Sequence, residues 1–252
     1  MGDYRDNGDH GCAARRWHLL SEIRASPQNM PSASVSEGAR CLLTEWPCEG
    51  VLRLLLDRPS RHNAIDGRLL EEIHTALLRP AAKAIVLGSS TVGQFCSGAD
   101  RTIADAERAA VSDGLYDLYR QIVALDVPVV AAMSGPAVGG GAQLAIACDL
   151  RVAAHGAWLR FVGPGHGLAV GAWGLPALVG RGRALDLCLT GRSVEAPEAL
   201  AIGLVDRLVG DAETAALAMA QALAGLDGAG GRPGQGDGGP SGQRCACDRG
   251  RR

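Results

Sequence analysis

From residue 51 onward, short aliphatic runs alternate with stretches whose apolar residues recur at helical spacing, and this alternation constrains the fold more than any other feature of the chain. Strands that alternate with helices return to a common sheet through crossover connections, so an α/β domain is expected. Residues 51–56 (Val-Leu-Arg-Leu-Leu-Leu) read as a buried strand, ended by the turn Asp57-Arg58-Pro59-Ser60. Residues 69–78 carry Leu69, Leu70, Ile73 and Leu77 on one helical face, and residues 84–87 form the next apolar run, closing a β-α-β unit. A second amphipathic helix is predicted over 115–125, a strand over 127–132 and a strand from 150 to 153. Between the last two, Gly139-Gly140-Gly141 opens directly into 142–147, a good helix-forming run. Shorter helices are expected at 198–202, behind Pro197 and ahead of Gly203, and at 212–226.

The 252 residues suit one domain of the larger kind, with 47% hydrophobic and 4% aromatic residues, so the core must be mostly aliphatic. A formal net charge of −2 provides no broad basic field for nucleic acid or an anionic membrane. No run approaches the roughly 18 apolar residues of a membrane span, and no secretory segment opens the chain, so a cytoplasmic protein is expected. The eight cysteines are then expected as thiols, and Cys245-Ala246-Cys247 lacks the spacing of a zinc or redox site, so no metal is expected. Residues 1–37 lack sustained periodicity, and residues 227–252 are Gly, Pro, Arg, Asp and Gln with almost no aliphatic side chains; both ends are expected to be disordered around a 38–226 domain.

Two segments carry chemistry. A helix start preceded by glycines leaves unpaired N–H groups pointing outward, which suits an anion or an oxyanion, although such turns also serve tight packing alone. Neither Gly-x-Gly-x-x-Gly nor Gly-Lys-Ser/Thr is present, so a nucleotide phosphate is disfavoured. The other segment is Phe95-Cys96-Ser97-Gly98-Ala99-Asp100, a glycine-containing turn after a strand, with an acid placed to cap a following helix.

Asp57-Arg58-Pro59…Asn63-Ala64, the 95–100 segment, Ala137-Val138-Gly139-Gly140-Gly141-Ala142, Cys148-Asp149 and Leu189-Thr190-Gly191-Arg192…Glu198-Ala199…Gly203-Leu204-Val205 together resemble the enoyl-CoA hydratase/isomerase (crotonase) family, in order and in spacing. The resemblance implies a spiral of repeated β-β-α units and an acyl-CoA thioester as substrate, with coenzyme A part of that substrate and no separate cofactor. It also implies a homotrimer or hexamer. It makes the backbone N–H groups of Ser97 and Gly140 the two oxyanion donors, each worth ~3–4 kcal/mol in the transition state. Ala64, Cys96, Gly98, Ala99, Asp100 and Gly139 fall beside the substrate, and Arg58 and Arg61 are either partners for the CoA phosphates or solvated turn residues.

Departures from the family pattern bear on activity. The two acid/base glutamates of a hydratase fall at Gln143 and Gly163. An amide cannot take a proton near neutral pH and glycine has no side chain, so hydration is expected to be weak, by ~10²–10⁴-fold for each lost acid/base group. The chain is then either an enolate-stabilising enzyme of this family or an inactive acyl-CoA-binding homologue or accessory subunit. His166 is a candidate replacement acid/base, Asp100 reads better as a capping acid and Cys96 as a packing residue. Past 226 the helices that close the pocket in the family are missing, implying a truncated or altered C-terminal region.

Overall fold

The computed structural model describes residues 40–78, 81–162, 171 and 173–226. The expected extension and tail lie outside the described residues. Strands β1 (Leu42–Cys48) and β2 (Val51–Leu56) form an antiparallel hairpin, and β3 (Ala84–Ser89), β4 (Val129–Met133), β6 (Leu150–Ala154) and β9 (Arg207–Val209) add in parallel, in the order β1-β2-β3-β4-β6-β9. A small sheet, β5 (Ala137–Val138), β7 (Trp158–Arg160) and β8 (Ser193–Glu195), lies apart from it. The helices are α1 (Gly67–Ala76), α2 (Asp105–Ala124), α3 (Gly140–Ala147), α4 (Leu175–Val179), α5 (Arg181–Thr190), α6 (Ala196–Ala201) and α7 (Ala212–Ala224). Two successive turns repeat one plan: β4 in the large sheet, β5 in the small one, then α3; and β6, β7, then α4. The turn before them follows the same path with less regularity, since β3 is followed by Cys96, which pairs in parallel with Ala137 of β5, and then by α2. This is the expected β-β-α spiral.

Strand periodicity divides the core between the two faces of the large sheet. Leu52, Leu54, Leu56, Ile85, Leu87, Val129, Ala131 and Met133 meet α1, α2 and α3 on one face. Val51, Ala84, Val86, Val130, Ala132 and Val152 meet Ala212, Ala216, Met219, Ala220 and Ala224 of α7 on the other. Small residues on both sides of that second interface let α7 lie close to the sheet. Helix α1 begins where Asp66 accepts the Leu69 N–H at 2.9 Å, a cap worth ~1 kcal/mol.

Helix α2 starts at Asp105, ten residues before the predicted 115, with Ala104 at its cap position. Asp100 therefore caps no helix: its Oδ1 accepts the Thr102 N–H at 2.9 Å and the Thr102 hydroxyl at 2.7 Å, closing a local turn. Pro128 immediately precedes β4, as its missing donor requires. No helix among the described residues is long and apolar enough to cross a membrane.

Candidate functional site

The 95–100 segment and the start of α3 meet through main-chain pairing. The Cys96 N–H donates to Pro136 O at 3.1 Å and the Val138 N–H to Cys96 O at 2.9 Å, fixing one loop against the other. Three residues beyond Cys96, Ala99 pairs with Ile65: the Ile65 N–H donates to Gly98 O at 2.7 Å and the Asp100 N–H to Ile65 O at 2.8 Å. In an extended chain successive peptide groups point to opposite sides. The Gly98 carbonyl points at Ile65, and in the trans peptide that joins residues 98 and 99 the Ala99 N–H points the opposite way, away from Ile65. A side-chain carbon built on Gly140 would stand 3.4 Å from the Ala99 nitrogen, and one built on Gly98 would stand 3.0 Å from the Gly140 nitrogen. Among the described residues neither the Ala99 N–H nor the Gly140 N–H has an acceptor.

Close approach explains the glycines. A Cβ on Gly98 would fall 2.6 Å from Val138 O, and the residue has φ +92°, a conformation that side chains rarely adopt. A Cβ on Gly141 would fall 2.1 Å from Cys96 O. Gly139, at the cap position of α3, offers no capping side chain, so the first N–H groups of the helix stay unpaired by their own chain end.

Ser97, expected as the first donor, is engaged elsewhere. Its N–H donates to His62 O at 3.0 Å and its exposed hydroxyl to Arg61 O at 3.4 Å. The two-residue offset between Ser97 and Ala99 follows from the Ile65 pairing, which joins segments more than thirty residues apart and leaves no mark in the local sequence. A cavity of about 460 Å³ opens beside this loop, lined in part by His62, Gln94, Phe95, Ser97, Val138 and Trp158.

The two arginines differ. Arg58 is turned inward, with its guanidinium 2.8 Å from Asp66 Oδ2 and 3.2 Å from Asp100 Oδ2, and it also donates to Ala64 O. Two carboxylates already neutralise it, so it is not the phosphate partner considered from sequence, nor a solvated turn residue. Arg61 is exposed. Burial acts to raise the Asp100 carboxyl pKa, but the Thr102 hydrogen bonds and Arg58 outweigh it and hold the group below the ordinary aspartate value. Asp100 is thus an anion that ties the donor loop to Arg58 rather than a proton carrier. Ala64 contributes its carbonyl to Arg58, and Cys96 is fully buried, its thiol pushed up to about 12 by desolvation against a smaller opposing effect of the Gly98 N–H. Such a thiol is inert packing.

Gln143, at the first family acid/base position, is buried on α3 with its Oε1 accepting the Gly171 N–H and the Trp173 indole N–H, each at 3.0 Å. Gly163 and His166 lie outside the described residues. Two residues without an assigned role in the sequence reading complete the surroundings. Asn63, fully buried with φ +54°, donates to Ser89 Oγ at 2.8 Å and Phe95 O at 2.9 Å while accepting the Arg58 N–H at 2.9 Å, so it joins three segments behind the donor loop. Tyr119 of α2 donates its hydroxyl to Gly140 O at 2.8 Å and stacks on Trp173 with ring centroids 6.0 Å apart. Burial first, then the neighbouring Cys96 and Tyr116, raise its pKa well above the ordinary phenol value, so it is a neutral donor. A signal for Tyr119 was present: it falls on the same helical stripe as Leu115, Leu118 and Ile122, and a phenol on a buried stripe must find an acceptor.

Comparison with known proteins identifies the family. The Enoyl-CoA hydratase/isomerase family model matches residues 48–226. The mitochondrial Enoyl-CoA hydratase domain-containing protein 2 of Bos taurus is 36% identical over 223 residues, covering 83% of this chain and 74% of that protein. The Enoyl-CoA isomerase/hydratase claC of Penicillium crustosum is 35% identical over 215 residues, which are 78% of this chain but only 23% of that much longer protein. The crystal structure of an enoyl-CoA hydratase from Bacillus anthracis superposes with a TM-score of 0.70 at 29% identity, covering 73% of this chain and 77% of that one. With two unpaired main-chain donors at a glycine-lined junction, a β-β-α spiral around them and relatives matched across the described domain, the chain belongs to the enoyl-CoA hydratase/isomerase family.

Proposed function

We propose that this chain binds an acyl-CoA thioester and stabilises negative charge on its carbonyl oxygen between the N–H groups of Ala99 and Gly140. The observation that carries this reading is that, among the described residues, neither N–H group has an acceptor while the loops bearing them are in contact. In a site shielded from water, fixed donors aimed at a developing enolate oxygen lower the barrier most, because they need no reorganisation as charge appears. The cavity beside Ser97 gives room for more of the thioester than its carbonyl, and exposed Arg61 is a cation available to its phosphates. Coenzyme A enters as part of the substrate.

Hydration of a double bond needs a group that takes a proton from water, and the Gln143 amide oxygen already accepts two N–H groups. That observation favours a second reading, an acyl-CoA-binding homologue with little hydratase turnover. Purified protein is expected to bind acetoacetyl-CoA saturably and to hydrate crotonyl-CoA at least ~10²-fold more slowly than a family enzyme with both glutamates. Calorimetric titration and the loss of enoyl absorbance measure the two. Absence of saturable binding overturns the thioester reading, and hydration within tenfold of such an enzyme overturns the assignment of Gln143 as a non-carrier.

A further inference from the structure

We propose that Tyr119 is a positioning residue for the oxyanion site, held in place by Trp173 and Gln143, and that residue 143 here acts as a hydrogen-bond acceptor rather than a proton carrier. The inference rests on the thioester reading above. Gly140 has no side chain to lock it by packing, so its orientation must come from neighbours. At the place its side chain would occupy, the nearest atoms are Leu115 Cδ1 at 3.1 Å, the Tyr119 hydroxyl at 3.3 Å and the Ala99 nitrogen at 3.4 Å. Leu115 and Tyr119 both come from α2, and the Tyr119 hydroxyl grips the Gly140 carbonyl at 2.8 Å.

A closed ring of contacts then returns to the same helix. The Tyr119 ring lies nearly parallel to Trp173, at 19° between planes, and the Trp173 indole N–H donates to Gln143 Oε1, three residues beyond Gly140 on α3. The first turn of α3 is therefore held at two points, Gly140 and Gln143, by one stacked aromatic pair. With Gly171 also donating to it, Gln143 Oε1 has both lone pairs in use. A carboxylate at 143 would accept the same two N–H groups, and hydrogen bonding to its charged form would make it a poorer base. An amide therefore serves the acceptor role fully.

A residue that sets the direction of an oxyanion donor affects a ligand carrying negative charge on that oxygen more than a neutral thioester. Calorimetric titration with acetoacetyl-CoA, whose enolate places charge there, and with butyryl-CoA, which does not, separates the two. Tyr119→Phe keeps the ring stack and is expected to weaken acetoacetyl-CoA about tenfold while leaving butyryl-CoA within about twofold. Trp173→Phe and Gln143→Leu should move the ratio the same way by less, and Gln143→Glu should give no gain in crotonyl-CoA hydration. An unchanged ratio in Tyr119→Phe, or hydration appearing in Gln143→Glu, overturns the proposal. Failure of the thioester reading shows itself in a different protein: wild type would then lack any preference for acetoacetyl-CoA, and the positioning role would fall with it.

Discussion

The loop at residues 95–100 and the start of α3 reach the same point, but the first is held there by polar side chains and the second largely by their absence. Behind the first loop, Arg58 bridges Asp66 and Asp100, and Asn63 bonds Ser89, Phe95 and the Arg58 main chain. At the second, glycines let main chain touch main chain, and one aromatic clamp supplies the orientation. The first loop is consequently sensitive to charge and pH, besides the tight fit at Gly98, and the second to volume alone.

The sharpest way to break that contrast is to add a methyl group to the second loop. Gly141→Ala puts a Cβ where Cys96 O stands, 2.1 Å away, and main chain on both sides must move. A loss of ~3 kcal/mol in urea unfolding is expected, with acyl-CoA binding abolished. Next comes the charge network. Arg58→Met leaves Asp66 and Asp100 without their cation, and a partly buried pair broken on one side costs about 3 kcal/mol. Asp100 has a lowered folded-state pKa, so its contribution is present above the ordinary aspartate value and lost as pH falls through the lowered one. The Thr102 hydrogen bonds remain in Arg58→Met, which should reduce that acid-side loss without removing it, whereas Gly141→Ala should shift stability equally at every pH; unfolding midpoints across pH decide whether the two loops differ as described.

Much of the large sheet was legible because its strands are apolar runs bounded by turns, as residues 51–56 illustrate. Strands β5 and β7 were not, since two or three residues carry no periodicity and exist only by pairing with distant partners. The same physics separates the site residues. The free donors at the start of α3 could be read from the glycine triplet, because a helix start following glycine has unpaired N–H groups whatever surrounds it, while the choice of Gly140 among them came from the family resemblance. Ala99 could not be distinguished from Ser97, because which amide points inward depends on Ile65. Nor could the inward turn of Arg58, since both carboxylates lie elsewhere in sequence and an Arg in a turn is as easily solvated.

A smaller effect sharpens the comparison from the base of the first loop. Glu213 of α7 accepts the Ser89 N–H at 3.1 Å, and its Oε2 is buried without a hydrogen-bond partner among the described residues. Desolvation raises its pKa, so the stability it contributes is full below the ordinary glutamate value and is lost as pH rises through the raised one. Glu213→Gln should therefore stabilise the protein by ~1 kcal/mol at pH 7, and the difference should vanish near pH 4; a neutral or negative shift in melting temperature at pH 7 would contradict it.

The most direct measurement is a crystal structure with bound acetoacetyl-CoA. The thioester oxygen is expected at about 3 Å from the nitrogens of both Ala99 and Gly140, with the Ser97 N–H still bonded to His62 O. An oxygen seated on the Ser97 N–H, or on neither loop, would contradict the oxyanion site.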